Sequence, residues 1–206
     1  MTAIKICGIT RVEDALAAAH CGAYAIGLVF YAKSPRHVTP LRAAELMRAL
    51  PPFVTSVGLF VDAAASEVMQ TLAQARVDLL QFHGNEPPQY CRQFGVPYLR
   101  ALRVRPGLDL LQYARDYHDA KALLLDAYVE GKHGGTGATF DWALIPKNIS
   151  LPVVLSGGLT PQNVSAAIQA VQPWAVDVSS GVESSKGIKD AAKIAAFVTG
   201  VRNANV

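Results

Sequence analysis

Eight short apolar runs recur along this 206-residue chain, and segments with helical periodicity separate them. The runs lie at residues 4–6, 25–30, 57–61, 79–82, 98–102, 122–125, 153–155 and 175–178. Most are too short for helices, and their nearly continuous apolar character is typical of strands buried on both faces of a parallel sheet. Strict alternation of such strands with helices predicts parallel strands with helices packed over them.

The number of repeats favours a closed barrel over an open sheet. Eight strand–helix units suit the (β/α)8 barrel, and the chain length lies at the low end of the ~200 to >400 residues of that fold. A doubly wound sheet is the alternative, but no G-x-G-x-x-G motif follows the first apolar run. We therefore expect an α/β fold in which residues 1–206 form a single domain, a parallel eight-stranded (β/α)8 TIM barrel.

Capping residues predict where three of the helices begin. Thr10 and Glu13 have the T-x-x-E spacing of a capping box. Thr39 and Thr160 each precede a proline, as expected for a helix that has a threonine cap and proline at its first position. The segment after Asp141 has the weakest helical pattern, so we expect the poorest helix there.

Composition and charge exclude several classes of protein. Hydrophobic residues make up 51% of the chain and charged residues 17%, which is the profile of a globular core and not of a disordered chain. A net charge of +3 without a long basic run does not indicate nucleic acid, and no apolar stretch reaches the ~18–20 residues of a membrane span. We expect a protein that binds neither nucleic acid nor membranes, and a monomer, because no segment is left over for assembly.

The three cysteines, Cys7, Cys21 and Cys91, are widely spaced and odd in number, unlike a disulfide framework. A reducing compartment fits them better. The chain begins with a strand-like segment and shows no charged-then-apolar leader. These features together predict a cytoplasmic protein.

Polar and small residues collect directly after the apolar runs. In chain order they are Cys7-Gly8, Ser34-Pro35-Arg36, Asp62, His83-Gly84, Arg103 with Arg105, Asp126, Ser156-Gly157-Gly158 and Ser179-Ser180-Gly181. The active site of a (β/α)8 barrel lies at the C-terminal ends of its strands. We therefore expect these residues to surround one site.

Two small-residue loops follow the last two runs, where barrels often bind phosphate. Gly157-Gly158 precedes the Thr160 cap, and Ser180-Gly181 follows the eighth run. Backbone N–H groups and a helix N-terminus bind an anion without side-chain charge, and glycine lets the backbone approach closely. The alternative is that these glycines only form tight turns, but two such loops at the two expected places favour phosphate binding. The Gly-Gly-Thr-Gly segment at 134–137 is a third candidate, for a loop that shields the reaction from water.

Cys7 and Asp126 are the candidate catalytic residues. A lone cysteine is often a small buried hydrophobe, whereas one beside positive charge becomes a thiolate base or nucleophile. Asp126 follows three leucines, so it is either a partly buried general acid or a structural hydrogen-bonding aspartate. The guanidinium of Arg36 either binds a carboxylate or forms a surface ion pair. His83 either contacts substrate or bonds a turn, and no histidine shows metal-ligand spacing.

Taken together, these motifs closely resemble those of the phosphoribosylanthranilate isomerase family. The matching segments are KICGIT at 5–10, SPR at 34–36, VGLFV at 57–61, QFHG at 81–84, LLD at 124–126, GGTG at 134–137, FDW at 140–142, LSGGL at 155–159 and DVSSGVE at 177–183. They span nearly the whole chain in the expected order. Each is modest alone, but the set is highly specific.

The resemblance implies an Amadori rearrangement in tryptophan biosynthesis, from N-(5-phosphoribosyl)anthranilate to 1-(2-carboxyphenylamino)-1-deoxyribulose 5-phosphate. It implies that Cys7 is the general base, that Asp126 is the general acid and that Arg36 contacts the anthranilate carboxylate. The residues implied to hold the phosphate are Gly157, Gly158, Ser180 and Gly181. Three further substrate contacts are expected, at His83, Gly135 and Asp177. No cofactor or metal is expected, and the expected partner is a small phosphorylated substrate.

Two other functions stay open from the residues alone. A metal-dependent sugar-phosphate epimerase on the same barrel would need clustered histidine and acidic ligands at strand ends, where only His83 is well placed. A non-catalytic phosphate-binding barrel would have no need of both Cys7 and Asp126 at strand ends.

Overall fold

The computed structural model describes residues 1–127 and 140–204 and contains a closed barrel of eight parallel strands. The strands are Ala3–Cys7 (β1), Ala25–Val29 (β2), Thr55–Phe60 (β3), Leu79–Phe82 (β4), Tyr98–Val104 (β5), Ala122–Ala127 (β6), Val153–Leu155 (β7) and Ala175–Val178 (β8). They follow one another around the barrel in chain order, and β1 closes it by pairing with β8. The α/β barrel architecture expected from the sequence is confirmed.

The apolar character of the strands follows from burial on both of their faces. Strand β6 is buried at every position, and Leu123, Leu124 and Leu125 have no exposed surface. Leu124 packs in a cluster of residues from several strands, including Val154, whereas Leu123 and Leu125 pack with residues that include Leu110 of the surrounding helical layer. A strand with strictly alternating polarity would bury charged side chains on one of these faces.

Seven α-helices in the described residues surround the barrel. They are Val12–Cys21 (α1), Pro40–Ala49 (α2), Ala65–Gln74 (α3), Pro88–Arg92 (α4), Leu110–Asp116 (α5), Val164–Val171 (α6) and Ala191–Asn203 (α7). Between β6 and β7 the described residues form only a 3-10 turn at Trp142–Leu144, in agreement with the weak helical pattern after Asp141. None of the described helices combines the length and apolar character needed to traverse a lipid bilayer.

The predicted helix caps have different outcomes. Thr39 caps α2 as expected, because its hydroxyl accepts a hydrogen bond from the backbone N–H of Arg42 at 3.2 Å. The capping box at Thr10 is wrong: Arg11 precedes α1 without a side-chain cap, and the Thr10 hydroxyl donates to the Gly187 carbonyl at 2.6 Å. A contact with a distant part of the chain has replaced the local one.

A short antiparallel hairpin follows β8, which the sequence patterns did not predict. It consists of Glu183–Ser185 (β9) and Ile188–Lys189 (β10), after a 3-10 turn at Ser180–Val182. Gly187 in its turn has a φ of 81°, in the left-handed region that favours glycine. A Cβ atom there would lie 3.0 Å from the Pro35 carbonyl oxygen. The hairpin is therefore packed against the loop that follows β2.

Candidate active site

The polar residues expected around one site do lie at the same end of the barrel. Cys7 is the last residue of β1, His83 directly follows β4, and Asp126 is the penultimate residue of β6. All three side chains are buried. Because all eight strands are parallel, these positions share the rim where (β/α)8 barrels carry their active sites.

Cys7 lies in an apolar niche at this rim. Its side chain clusters with Val29, Leu59 and Val61, from or beside the neighbouring strands β2 and β3. Gly27 is its register partner in β2, and a Cβ atom at Gly27 would lie only 2.6 Å from the Cys7 sulfur. The absence of a side chain at Gly27 therefore makes room for the thiol.

A buried ion pair lies beneath Cys7 in the barrel. Lys5, two residues earlier on β1, places its Nζ 2.7 Å from Asp177 Oδ1, and the Ser156 hydroxyl donates to Asp177 Oδ2 at 3.2 Å. The charge of Lys5 also acts on the Cys7 thiol. Asp177, expected from the sequence to contact substrate, thus has both oxygens occupied by protein groups in this structure.

Burial raises the pKa of the Cys7 thiol above its ordinary value. The charges of Lys5 and Lys189 act in the opposite direction, and the Asp177 carboxylate adds to the increase. A cysteine at this position is expected from the sequence to be reactive if nearby positive charge lowers its pKa. That charge is present, but desolvation outweighs it, so the free protein holds Cys7 as the neutral thiol at pH 7.

The pH dependence of Cys7 alkylation tests this balance. In a Cys21→Ser, Cys91→Ala background, iodoacetamide labelling of Cys7 is expected to accelerate with rising pH, with a midpoint above that of free cysteine measured alongside. The midpoint is the informative quantity, because burial slows reagent access at every pH. A midpoint below that of free cysteine would mean that the neighbouring cations dominate over burial.

Asp126 is held by its own strand and faces His83. Its Oδ1 accepts a hydrogen bond from the Ala127 backbone N–H at 2.9 Å, and its Oδ2 lies 3.2 Å from His83 Nε2. The Gln81 side-chain amide lies 3.2 Å from His83 Nδ1. If the amide donates there, the ring proton resides on Nε2 and faces the carboxylate. Among the described residues, His83 Nε2 has no hydrogen bond of good geometry. His83, expected as a substrate contact, thus adjoins the expected acid.

The two predicted phosphate loops pack tightly against this part of the site. Gly157 and Gly158 have φ values of 86° and 63°, and a Cβ atom at Gly157 would lie 2.9 Å from Asp126 Oδ1. A Cβ atom at Gly181 would overlap the carbonyl oxygen of Leu159, so the two loops touch each other. Glycine is thus required at both places by close approach, whatever the loops bind.

The backbone N–H groups of these loops lie outside the backbone hydrogen-bond network of the described residues. Within residues 1–127 and 140–204, none of the four predicted phosphate-binding residues donates its backbone N–H to a backbone carbonyl: Gly157, Gly158, Ser180 and Gly181. Unpaired N–H groups in a glycine-rich turn attract phosphate oxygens.

The helix expected after the first of these loops begins later than predicted. Helix α6 starts at Val164, four residues after Thr160, whose hydroxyl accepts a hydrogen bond from Gln162 N at 3.3 Å. Asn163 instead shapes the loop: its side chain accepts from Thr160 N at 2.8 Å and donates to the Gly158 carbonyl at 2.9 Å. The predicted cap at Thr160 is therefore wrong.

Arg36 is buried and joined to the hairpin. Its Nε and Nη2 each donate to one oxygen of Glu183 at 2.7 Å, in a bidentate pair. Lys189 places Nζ 2.9 Å from Glu183 Oε1. The Arg36 side chain crosses Gly8, where a Cβ atom would overlap its Cδ. The surface ion pair considered from the sequence is in fact a buried one.

Five polar residues near the site escaped the sequence analysis as functional candidates: Lys5, Gln81, Asn163, Glu183 and Lys189. Lys5 and Gln81 carried a usable signal, because each stands two positions before a candidate and so on the same strand face. Lys189 carried no such signal, since its hairpin was not predicted.

Gly135, with the rest of 134–137, lies outside the described residues. In the described part of the chain, no group of three His, Cys, Asp or Glu residues is arranged to hold a metal ion.

The chain is similar to known proteins over nearly its whole length. The family model described as N-(5'phosphoribosyl)anthranilate (PRA) isomerase matches residues 4–200. A relative from Nitrosospira multiformis, named N-(5'-phosphoribosyl)anthranilate isomerase, is 61% identical over 198 residues, which cover 96% of this chain and 95% of the relative. A relative of the same name from Pseudomonas aeruginosa is 62% identical over 200 residues, or 97% and 95% of the two chains.

Solved structures agree with these relatives. The phosphoribosyl anthranilate isomerase from Thermotoga maritima has a TM-score of 0.90 and 39% identity, covering 98% of this chain and 100% of its own. The corresponding enzyme from Thermus thermophilus has a TM-score of 0.89 and 35% identity, with coverages of 98% and 99%. A third structure holds such an isomerase in complex with reduced 1-(o-carboxyphenylamino)-1-deoxyribulose 5-phosphate. It has a TM-score of 0.87 and 38% identity, with coverages of 98% and 100%.

Proposed function

This chain belongs to the N-(5'-phosphoribosyl)anthranilate isomerase family, and from that premise we propose that it isomerises N-(5-phosphoribosyl)anthranilate to 1-(2-carboxyphenylamino)-1-deoxyribulose 5-phosphate in tryptophan biosynthesis. The observation that carries the proposal is the pair of buried groups, Cys7 and Asp126, at one rim of the barrel. The rearrangement needs one acid and one base, and it moves protons without a net redox change.

Asp126 acts first, as the general acid. It donates a proton to the furanose ring oxygen, and the bond between this oxygen and C1 breaks. The lone pair of the substrate nitrogen then forms a double bond to C1, which gives an iminium. The carboxylate left behind stays beside His83 Nε2, 3.2 Å away, and the Ala127 N–H continues to donate to it. Both contacts hold the carboxylate in place as its proton leaves.

Cys7 acts second, as the general base. The Cys7 thiol first loses its proton to solvent, and the thiolate then removes the proton from sugar C2. The electrons of that C–H bond form the C1–C2 double bond and neutralise the iminium nitrogen. The resulting enolamine loses its C2 hydroxyl proton and gains one at C1, which gives the ketone. The cationic iminium opposes the effect of burial on the Cys7 pKa, as the charges of Lys5 and Lys189 already do.

The remaining groups hold the two ends of the substrate. The guanidinium of Arg36 binds the anthranilate carboxylate, and the loops at Gly157-Gly158 and Ser180-Gly181 bind the phosphate through backbone N–H groups.

Several expectations from the sequence stay predictions. They are the substrate contacts at Gly135 and Asp177, the single domain over residues 1–206, the monomeric state and the cytoplasmic location.

A direct assay tests the reaction. Purified protein is mixed with freshly made N-(5-phosphoribosyl)anthranilate, and the loss of its fluorescence is followed with and without a chelator. Rapid decay that survives the chelator, with the ketose product identified by mass spectrometry, is expected. A folded protein without decay would contradict the proposal, and activity abolished by the chelator would favour a metal-dependent sugar-phosphate isomerisation.

Replacing Arg36 by methionine is expected to act on substrate binding. Hydrogen bonds to a charged group contribute about 1.5–3 kcal/mol each, so KM should rise by about 30-fold or more while kcat changes by less than about threefold. Steady-state kinetics measures both, and Lys33→Met, an exposed residue in the same loop, is the matched control. An unchanged KM in Arg36→Met would remove Arg36 from the carboxylate site.

A further inference from the structure

The buried cluster around Arg36 carries an excess of positive charge. Arg36 and Lys189 both contact the single carboxylate of Glu183, at distances of 2.7 to 2.9 Å. The side chains of the three residues are at most 10% exposed. Two cations against one anion leave a net charge of about +1 in a place of low dielectric, where such a charge interacts strongly with an incoming anion.

The arrangement also fixes the direction of the Arg36 guanidinium. Its Nε and one hydrogen of Nη2 are used by Glu183, which occupies one edge of the planar group. Within residues 1–127 and 140–204, these two bonds leave Nη1 without a hydrogen-bond partner. Because Glu183 holds one edge of the guanidinium, the remaining N–H donors of Arg36 lie in a fixed plane. They can donate there to a second planar acceptor such as a substrate carboxylate.

The hairpin that carries Glu183 and Lys189 is itself held from several sides. The Thr10 hydroxyl donates to the Gly187 carbonyl at 2.6 Å, and Asp14 Oδ2 accepts from Lys189 N at 3.1 Å. Lys193 donates through Nζ to the Glu183 carbonyl at 2.7 Å. These contacts come from the loop after β1, from α1 and from α7. The carboxylate that orients Arg36 is therefore on a rigid support.

We propose that Glu183 and Lys189 are positioning residues that prepare Arg36 to select substrates with a carboxylate on the aromatic ring. Glu183 aims the guanidinium, and Lys189 offsets the charge of Glu183. With Glu183 alone, the ion pair would be neutral, and its attraction for a carboxylate would be largely cancelled. The inference rests on the proposed function, and it extends the carboxylate site from one residue to three.

Binding of two product analogues tests the inference without turnover. One is the alcohol obtained by reducing the ketose product, and the other is the same molecule with a phenyl ring in place of the carboxyphenyl ring. The ratio of their Kd values, measured by calorimetry, reports recognition of the carboxylate alone. Damage to folding or to the phosphate site weakens both ligands and leaves the ratio unchanged.

Three variants complete the experiment. Lys189→Met removes the excess positive charge, and Glu183→Gln releases the guanidinium from its fixed plane even though it raises the net charge. Each is therefore expected to lower the preference for the carboxylate by about tenfold or more. Lys186→Met, on the exposed turn of the same hairpin, keeps the wild-type preference. Glu183→Gln is nearly isosteric, so it provides the test if Lys189→Met does not fold.

The outcomes separate the inference from the function on which it rests. If wild-type protein does not convert N-(5-phosphoribosyl)anthranilate, the proposed function fails. Suppose that the wild type converts the substrate. If it then shows no preference for the carboxylate, or if both variants keep the wild-type preference, the positioning role of the hairpin is wrong. A ratio that falls in both variants and not in Lys186→Met establishes it.

Discussion

Replacing Cys7 by serine is expected to lower kcat by about 10²- to 10⁴-fold, the usual contribution of a general base. A hydroxyl ionises far less readily than a thiol, so the variant has almost no base in the place from which C2 is deprotonated. The barrel should fold normally, because serine is no larger than cysteine and the space over Gly27 is kept. Fluorescence decay of the substrate measures the rate, and thermal unfolding measures the stability.

The matched control for this variant is Cys21→Ser. Cys21 ends α1, away from the rim, and is expected to keep full activity. Substrate deuterated at C2 adds a second readout: slowing of proton removal should increase the kinetic isotope effect in Cys7→Ser. Wild-type turnover in Cys7→Ser would reject Cys7 as the base.

Replacing Asp126 by asparagine is expected to cause a loss of similar size, about 10²- to 10⁴-fold in kcat. The amide has the same shape, and its oxygen can still accept the hydrogen bond from Ala127 N, so the change removes little besides the transferable proton. Ring opening then becomes the slow step. With C2-deuterated substrate, this variant should show a smaller isotope effect than Cys7→Ser, because the C–H bond breaks after the slow step.

Asp116→Asn, at the exposed end of α5, is the control for the loss of one carboxylate. Near wild-type turnover in Asp126→Asn would mean that another group protonates the ring oxygen. His83 would then be the first candidate, since its Nε2 lies 3.2 Å from Asp126 Oδ2 at the same rim. A combined His83→Asn, Asp126→Asn variant would decide between the two.

The barrel could be predicted from the chain because its strands carry a strong local signal. Each of the eight strands is buried against both the barrel interior and the helices, so it reads as a continuous apolar run. The parallel order then brings the residues that follow the runs to one rim. That is why the positions of Cys7, Asp126 and the glycine loops followed from the sequence, and why the family resemblance agreed with them.

The helix caps could be predicted less well, because local patterns did not determine their hydrogen bonds. Thr39 has the local role that its pattern predicts. Thr10 has an equally good pattern, but its hydroxyl bonds to Gly187, which is 177 residues away in the chain. At Thr160, Asn163 contributes to the turn, and the helix begins later. A capping pattern indicates which hydrogen bonds a hydroxyl can form locally, and tertiary contacts decide which bond it forms in the fold.

The sequence by itself thus determined the fold class, the rim on which the candidate residues stand and the chemistry available there. Only the tertiary structure decided the state of those groups. It paired Arg36 with Glu183, 147 residues away, and it placed Lys5 and Asp177 beneath Cys7. It also buried the thiol deeply enough for desolvation to raise its pKa against the neighbouring charges. Ion pairing and desolvation depend on distance and solvent exposure in space, which closure of the barrel creates and no local pattern contains.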